Sequence, residues 1–215
     1  MMSAYQINAK LELEKGFAAK FKIEIESEIR KKILTSIGRI TKSIEITIQD
    51  LVRFKLYQSP TVAEIAGGQL RIQLGLVDGS ARIANIINTW AESIEVKYVR
   101  KVSTFGGIII SMNSQDYSNV LSMSEAEFVT EKGTVLEWLR WLLLEGSARI
   151  ISNHFFKDSS QGRTGGGIMV HRQAAAWSVP KQHAGTSEDN FATKALEGIQ
   201  DDIDVIVRRE MAKVL

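Results

Sequence analysis

The residues whose types could do chemistry gather between Glu137 and Asn190, which holds His154, His171 and His183 and the glycine run Gly162-Arg163-Thr164-Gly165-Gly166-Gly167. Imidazoles serve as metal ligands or general bases, but metal helices place them four residues apart, and compact sites add cysteine. Here the spacings are 17 and 12 residues and the chain has no cysteine. Scattered, partly exposed histidines are the expectation. A phosphate-binding loop needs a strand before it, a helix N-terminus after it and a Lys followed by Ser or Thr. The glycines instead run into Ile168-Met169-Val170, with no such Lys, so a mobile surface or subunit-interface loop is expected.

Other reactive patterns fare no better. Asp189, Asp201, Asp202 and Asp204 flank the start of a C-terminal helix, where capping and the helix dipole explain acids more simply than paired catalytic carboxylates. No serine lies in a GxSxG elbow. The basic residues Arg30, Lys31, Lys32, Lys97, Arg100 and Lys101 are interleaved with acids and read as solvated faces. The expectation is a non-enzyme with no catalytic, cofactor-binding or metal-binding residues.

Composition sets the frame. A chain of 215 residues, 44% hydrophobic and 24% charged, can bury a real core, and a formal charge of +2 gives no general drive toward nucleic acid or anionic lipid. No apolar run approaches the roughly 18–20 residues that span a bilayer, and the first residues lack a signal-peptide core.

The elements that must position the loop follow from periodicity. Residues 7–26 alternate apolar and polar about Lys15-Gly16, which favours a hairpin over a helical arm. Isoleucines 29, 33, 37, 40, 44 and 48 and Leu51 recur at three- and four-residue steps, predicting a long amphipathic helix over 27–58, with a break at Gly38. It should stop before Pro60. A short helix over 61–66 should end at Gly67-Gly68, and Leu70, Ile72 and Leu74 alternate as a strand. Asp78 or Ser80 should cap a helix burying Ile83, Ile86, Ile87 and Trp90. Strands are predicted over 94–101 and 107–113, joined by a turn at Phe105-Gly106-Gly107, with Ile108-Ile109-Ile110 covered on both faces.

Residues 115–133 read as loop with a short strand at 127–130. Thr134 and Glu137 suggest a capping box opening the Trp/Leu-rich helix of Leu136, Trp138, Leu139, Leu142 and Leu143, closed by Gly146 in the left-handed conformation. Trp141 is assigned to the core, with a partner-facing anchor as the rival reading. A strand over 148–156 leads to the loop, Ile168–Val170 returns from it, and Thr186–Asp189 starts a last helix through Phe191, Ile199, Ile203, Ile206 and Met211. The pentapeptide GSARI occurs at 79–83, a helix start, and at 146–150, a helix exit. The fold class is α+β: a small mixed or antiparallel sheet flanked by the long N-terminal amphipathic helix, the central Trp/Leu-rich helix and the C-terminal helix. Residues 1–58 form an arm and long helix, and 59–215 an α+β core with the glycine-rich loop 158–167.

This order of features carries a resemblance. A long amphipathic helix precedes Gly68-Gln69-Leu70-Arg71, central strands, Glu145-Gly146, a Gly/Arg-rich excursion, an aromatic-Pro segment and a C-terminal helix. It resembles the neck and tail-completion proteins of tailed bacteriophages, the minor-tail family of lambda-like phages and relatives in contractile-tailed phages. The stretch from WLRWLLLEG through GRTGGGIM, WSVP and DNFATKAL is also similar to virion proteins of marine and cyanobacterial myoviruses. The similarity covers 60–215, and this chain departs from the lambda-like pattern in a longer N-terminus and a longer glycine loop. The resemblance implies a structural virion protein, assembled in the host cytoplasm. It implies a homo-oligomeric ring at the head–tail junction, with adjacent neck, connector and tail proteins as partners. Genomic DNA would pass through the lumen without specific binding, and no membrane would be involved. Tail terminator and head-closure roles at the same junction are the nearest alternatives, with a nucleic-acid-binding module or an enzyme further off. Gly162–Gly167 and the N-terminal arm would then contact neighbouring subunits.

Overall fold

The computed structural model describes residues 17–99, 107–112, 117–130, 133–146 and 148–213. The chain is α+β, with helices packed around three two-stranded antiparallel sheets among the described residues.

Helix α1 runs unbroken from Phe17 to Tyr57. The hairpin expected over 7–26 is therefore corrected where it can be seen, since Phe21, Ile23 and Ile25 lie in α1, and residues 7–16 fall outside the described ones. Lys, Glu and Ala at the intervening positions are strong helix formers, and their propensity outweighs a period of two. Nor does α1 break at Gly38, where a Cβ would meet open space. Ile40, Ile44, Ile48, Val52 and Leu56 are buried at four-residue steps, whereas no residue described between 23 and 39 is buried. The helix is thus half core and half arm.

Ser59 is extended (φ −64°, ψ 128°) before Pro60, and Pro60 opens α2 (Pro60–Gly67) as its first residue. Residues 69–73 form a short helix, α3 (Gln69–Gln73), not the expected strand. Leu70 and Leu74 are both buried, so the four-residue step within the apolar set prevails over the alternation. Helix α4 (Gly79–Glu92) buries Ile83, Ile86, Ile87 and Trp90 as expected, and Trp90 meets Tyr117 and Phe191 edge-on at 5.3 and 6.3 Å. Asp78 precedes α4 but takes the Arg82 guanidinium at 2.7 Å in place of a backbone cap.

Strand β1 (Ile94–Val99) pairs with β2 (Gly107–Met112), Val96 opposite Ile110. Ile109 is 51% exposed, so this ribbon is covered on one face, not two. Only Gly107 of the expected joining turn is described. The segment read as loop holds α5 (Ser118–Leu121) and a 3-10 turn at Ser124–Ala126, and the short strand expected over 127–130 is present as β3 (Phe128–Val129), which pairs with β4 (Val135–Leu136).

Because 135–136 is strand, Leu136 lies in β4 opposite Phe128, outside the helix expected to hold it, and the Thr134–Glu137 capping box does not form. Helix α6 (Trp138–Leu143) starts later, with Glu137 just before it and no side-chain cap. Trp138, Leu139, Leu142 and Leu143 are fully buried and Trp141 packs half-buried against the same core, as expected of a central element. The helix also ends before Gly146, whose role is close approach. Its N–H donates to Gly185 O at 3.0 Å, and a Cβ there would come within 2.3 Å of the Gly185 nitrogen.

Strands β5 (Ile151–Asp158) and β6 (Gly167–Trp177) form the longest hairpin. The C-terminal periodicity divides into α7 (Phe191–Ala195) and α8 (Ile199–Ala212) about Gly198 at φ 72°. The start of α7 is set by Asn190, not by 186–189. Its carboxamide oxygen accepts from the N–H groups of Ala192 and Thr193, and Thr193 Oγ1 accepts from Asn190 N–H. Its amide nitrogen donates to Tyr117 Oη, Leu143 O and Thr186 O, joining four segments at one buried side chain. No helix among the described residues is long and apolar enough to cross a membrane.

Candidate subunit-interface site

The glycine loop joins β5 to β6, with Asp158 opposite Gly167 at its base. Each glycine answers a specific demand. Gly165 has φ 74° and its N–H donates to Gly162 O at 2.7 Å. A Cβ at Gly162 would overlap Gly167 O, one at Gly166 would enter Ile72, and one at Gly167 would fall 2.0 Å from the Phe156 ring. The glycines of this turn serve close packing.

Arg163 pins the loop to the body of the protein. Its Nη2 donates to Gly75 O at 2.5 Å while its guanidinium carbon lies 4.0 Å from the centre of the Phe128 ring. Gln69 Nε2 adds a 3.2 Å bond to Asp158 Oδ1 at the hairpin base. The loop, expected to hold no shape by itself, is therefore held by α3 and β3. Under it lies a cavity of about 440 Å³ lined by Ile72, Leu74, Phe128, Leu136, Phe156 and Met169 among others. Gly162–Gly167 thus come together as one compact turn, in which Arg163, Gly165 and the preceding Ser160 and Gln161 face solvent.

The histidines do not stay scattered. Antiparallel register sets His154 opposite His171, with ring centroids 5.4 Å apart and planes at 88°. They lie equidistant from the middle of the loop, which is the sequence signal that pairs them once a hairpin is assumed. His183 is elsewhere, its Nδ1 2.9 Å from Thr61 Oγ1, and partial burial lowers its pKa against a raising influence from Glu64. It lines a second cavity with Lys55, Ser59, Pro60 and Lys194. Both lysines are engaged, Lys55 with Asp202 at 2.9 Å and Lys194 with Asp189 at 3.0 Å.

The remaining acids and bases are dispersed as expected. Asp201 and Asp202 occupy the first turn of α8. Lys97 pairs with Glu95, Lys31 and Lys32 are exposed on α1, and Arg100 and Lys101 lie outside the described residues. Sequence reasoning missed the loop's docking partners, Ile72, Gly75 and Phe128, because the alternation of Leu70, Ile72 and Leu74 predicts a strand and because nothing local to the expected strand at 127–130 marks Phe128 as the ring under Arg163. Comparison with protein-family models, with curated proteins and with solved structures finds no match to this chain.

Proposed function

We propose that the chain is a structural subunit of the head–tail junction of a tailed bacteriophage, a neck or connector ring joining the portal complex to the tail. The observation that carries the reading is the N-terminal half of α1, where no described residue is buried. Residues 17–39 extend from the core as about 35 Å of helix at 1.5 Å per residue, with Ile23 66% and Ile25 42% exposed. Apolar side chains left exposed on an element that buries none of its residues among the described ones suit a protein–protein contact. A ring is built from a heterologous contact repeated by rotation, for which an arm reaching to the next subunit is a suitable device. The arrangement of features over 60–215 supplies the choice of the junction. The same reading covers a tail-terminator or head-closure station in the same stack.

The test is electron microscopy of a lysate from phage in which the gene for this chain is disrupted. Filled heads and separate tails should accumulate, and supplying the chain should restore joined particles. Intact tailed particles formed without it would overturn the proposal.

A further inference from the structure

We propose that His154 and His171 form an open two-histidine site for a divalent transition-metal ion on the β5–β6 hairpin. The inference is independent of the phage reading. Two imidazoles bound through nitrogen to one tetrahedral ion at about 2.0–2.1 Å leave ring centroids roughly 5 Å apart. The observed separation is 5.4 Å, across a strand pair in which both residues are directly opposite.

The second observation is the hydrogen bond on the other side of the ring. His154 Nδ1 is 3.0 Å from Ser152 O. A carbonyl can only accept, so Nδ1 carries the proton and the lone pair of the neutral ring sits on Nε2. That is the way a carbonyl orients and fixes the tautomer of a metal-ligating histidine.

The third is the backbone beside the pair. The register shifts between Ser152 and His154, Asn153 and Ala174 both adopt left-handed φ (58° and 64°), and Asn153 Oδ1 accepts from Ala174 N–H at 3.2 Å. Bulges of this kind re-aim a side chain, and non-glycine residues hold such φ only when neighbours enforce it.

Imidazole donors suit Zn, Cu and Ni better than Mg or Ca. Among the described residues no third His, Cys, Asp or Glu completes a cluster, so water or an incoming group fills the remaining positions. His154 opens into a shallow depression with Thr130, Thr134 and Met169; Arg163 also borders it, with its guanidinium held on Gly75 O.

The test is calorimetric titration of the untagged, chelator-treated full chain with ZnCl2, alongside NMR of its imidazole resonances. The proposal predicts saturable binding of one ion per chain. It also predicts Zn-dependent shifts of His154 and His171 with His183 unmoved. Affinity should fall at least about tenfold in H154Q and in H171Q and stay unchanged in H183Q. No saturable binding up to millimolar zinc, shifts confined to His183, or full affinity in H154Q and H171Q would each overturn it.

Discussion

At the scale of single residues, the loop is defined by one arginine and four glycines. Replacing Arg163 with alanine removes its bond to Gly75 O and its stacking on Phe128. The expected cost is about 1–2 kcal/mol, because the guanidinium is partly exposed. Amide exchange over 159–167 should quicken while the α4 and α6 amides stay protected, and unchanged exchange in the loop would refute the pinning. Gly167→Ala should cost more, about 2–3 kcal/mol, since the new methyl must displace the Phe156 ring. Chemical denaturation would measure it.

Glu210 offers a pH test. It is 4% exposed, takes Ser43 Oγ at 2.8 Å and Lys213 Nζ at 2.7 Å, and its pKa is lowered from 4.5 chiefly by the Lys213 bond and then by Ser43. A carboxylate with a lowered folded-state pKa adds stability above its unfolded value and loses it as pH falls through the lower folded one. The urea midpoint of the wild type should therefore drop below about pH 4.5 more steeply than that of E210Q. Parallel curves would show that Glu210 contributes nothing to the acid limb.

At the scale of elements, α1 divides at Ile40 into an arm and a core helix. Ile44→Ala, at a fully buried position, should cost about 3–4 kcal/mol in the isolated chain. Ile25→Ser, on the arm, should change stability by less than about 0.5 kcal/mol yet impair particle assembly. Equal losses of stability at both sites would mean the arm packs on its own chain.

The long helix, the buried face of α4, the central Trp/Leu helix and the β5–β6 hairpin were legible because each carries a sustained period or a dense apolar run. What failed were short segments. Leu70, Ile72 and Leu74 satisfy two periods at once, and only packing decides between them. Thr134 and Glu137 have the spacing of a capping box, but the two residues between them, Val135 and Leu136, pair with Phe128-Val129 as a strand. The exposed face of Ile109 was hidden because a run of three isoleucines looks the same whether one face or two are covered. Within the loop, the sequence marked the glycines but not their partners. Those lie about 90 positions upstream at Ile72 and Gly75 and about 35 upstream at Phe128, and only tertiary packing brings them together.

At the scale of the whole molecule, a single core joins the C-terminal half of α1 to α2, α4, α6, α7 and α8; the β5–β6 hairpin packs on it through Trp177, Ile151, Phe156 and Met169, and the arm of α1 lies outside it. On the proposed function, the arm joins this subunit to its neighbours in a ring of a phage particle. Quantitative mass spectrometry of purified particles of the encoding phage would test that placement. The claim predicts the chain in the particle at a low copy number, matching one or two rings. Hundreds of copies would assign it to tube, sheath or capsid instead, and its absence from the particle would contradict the claim outright.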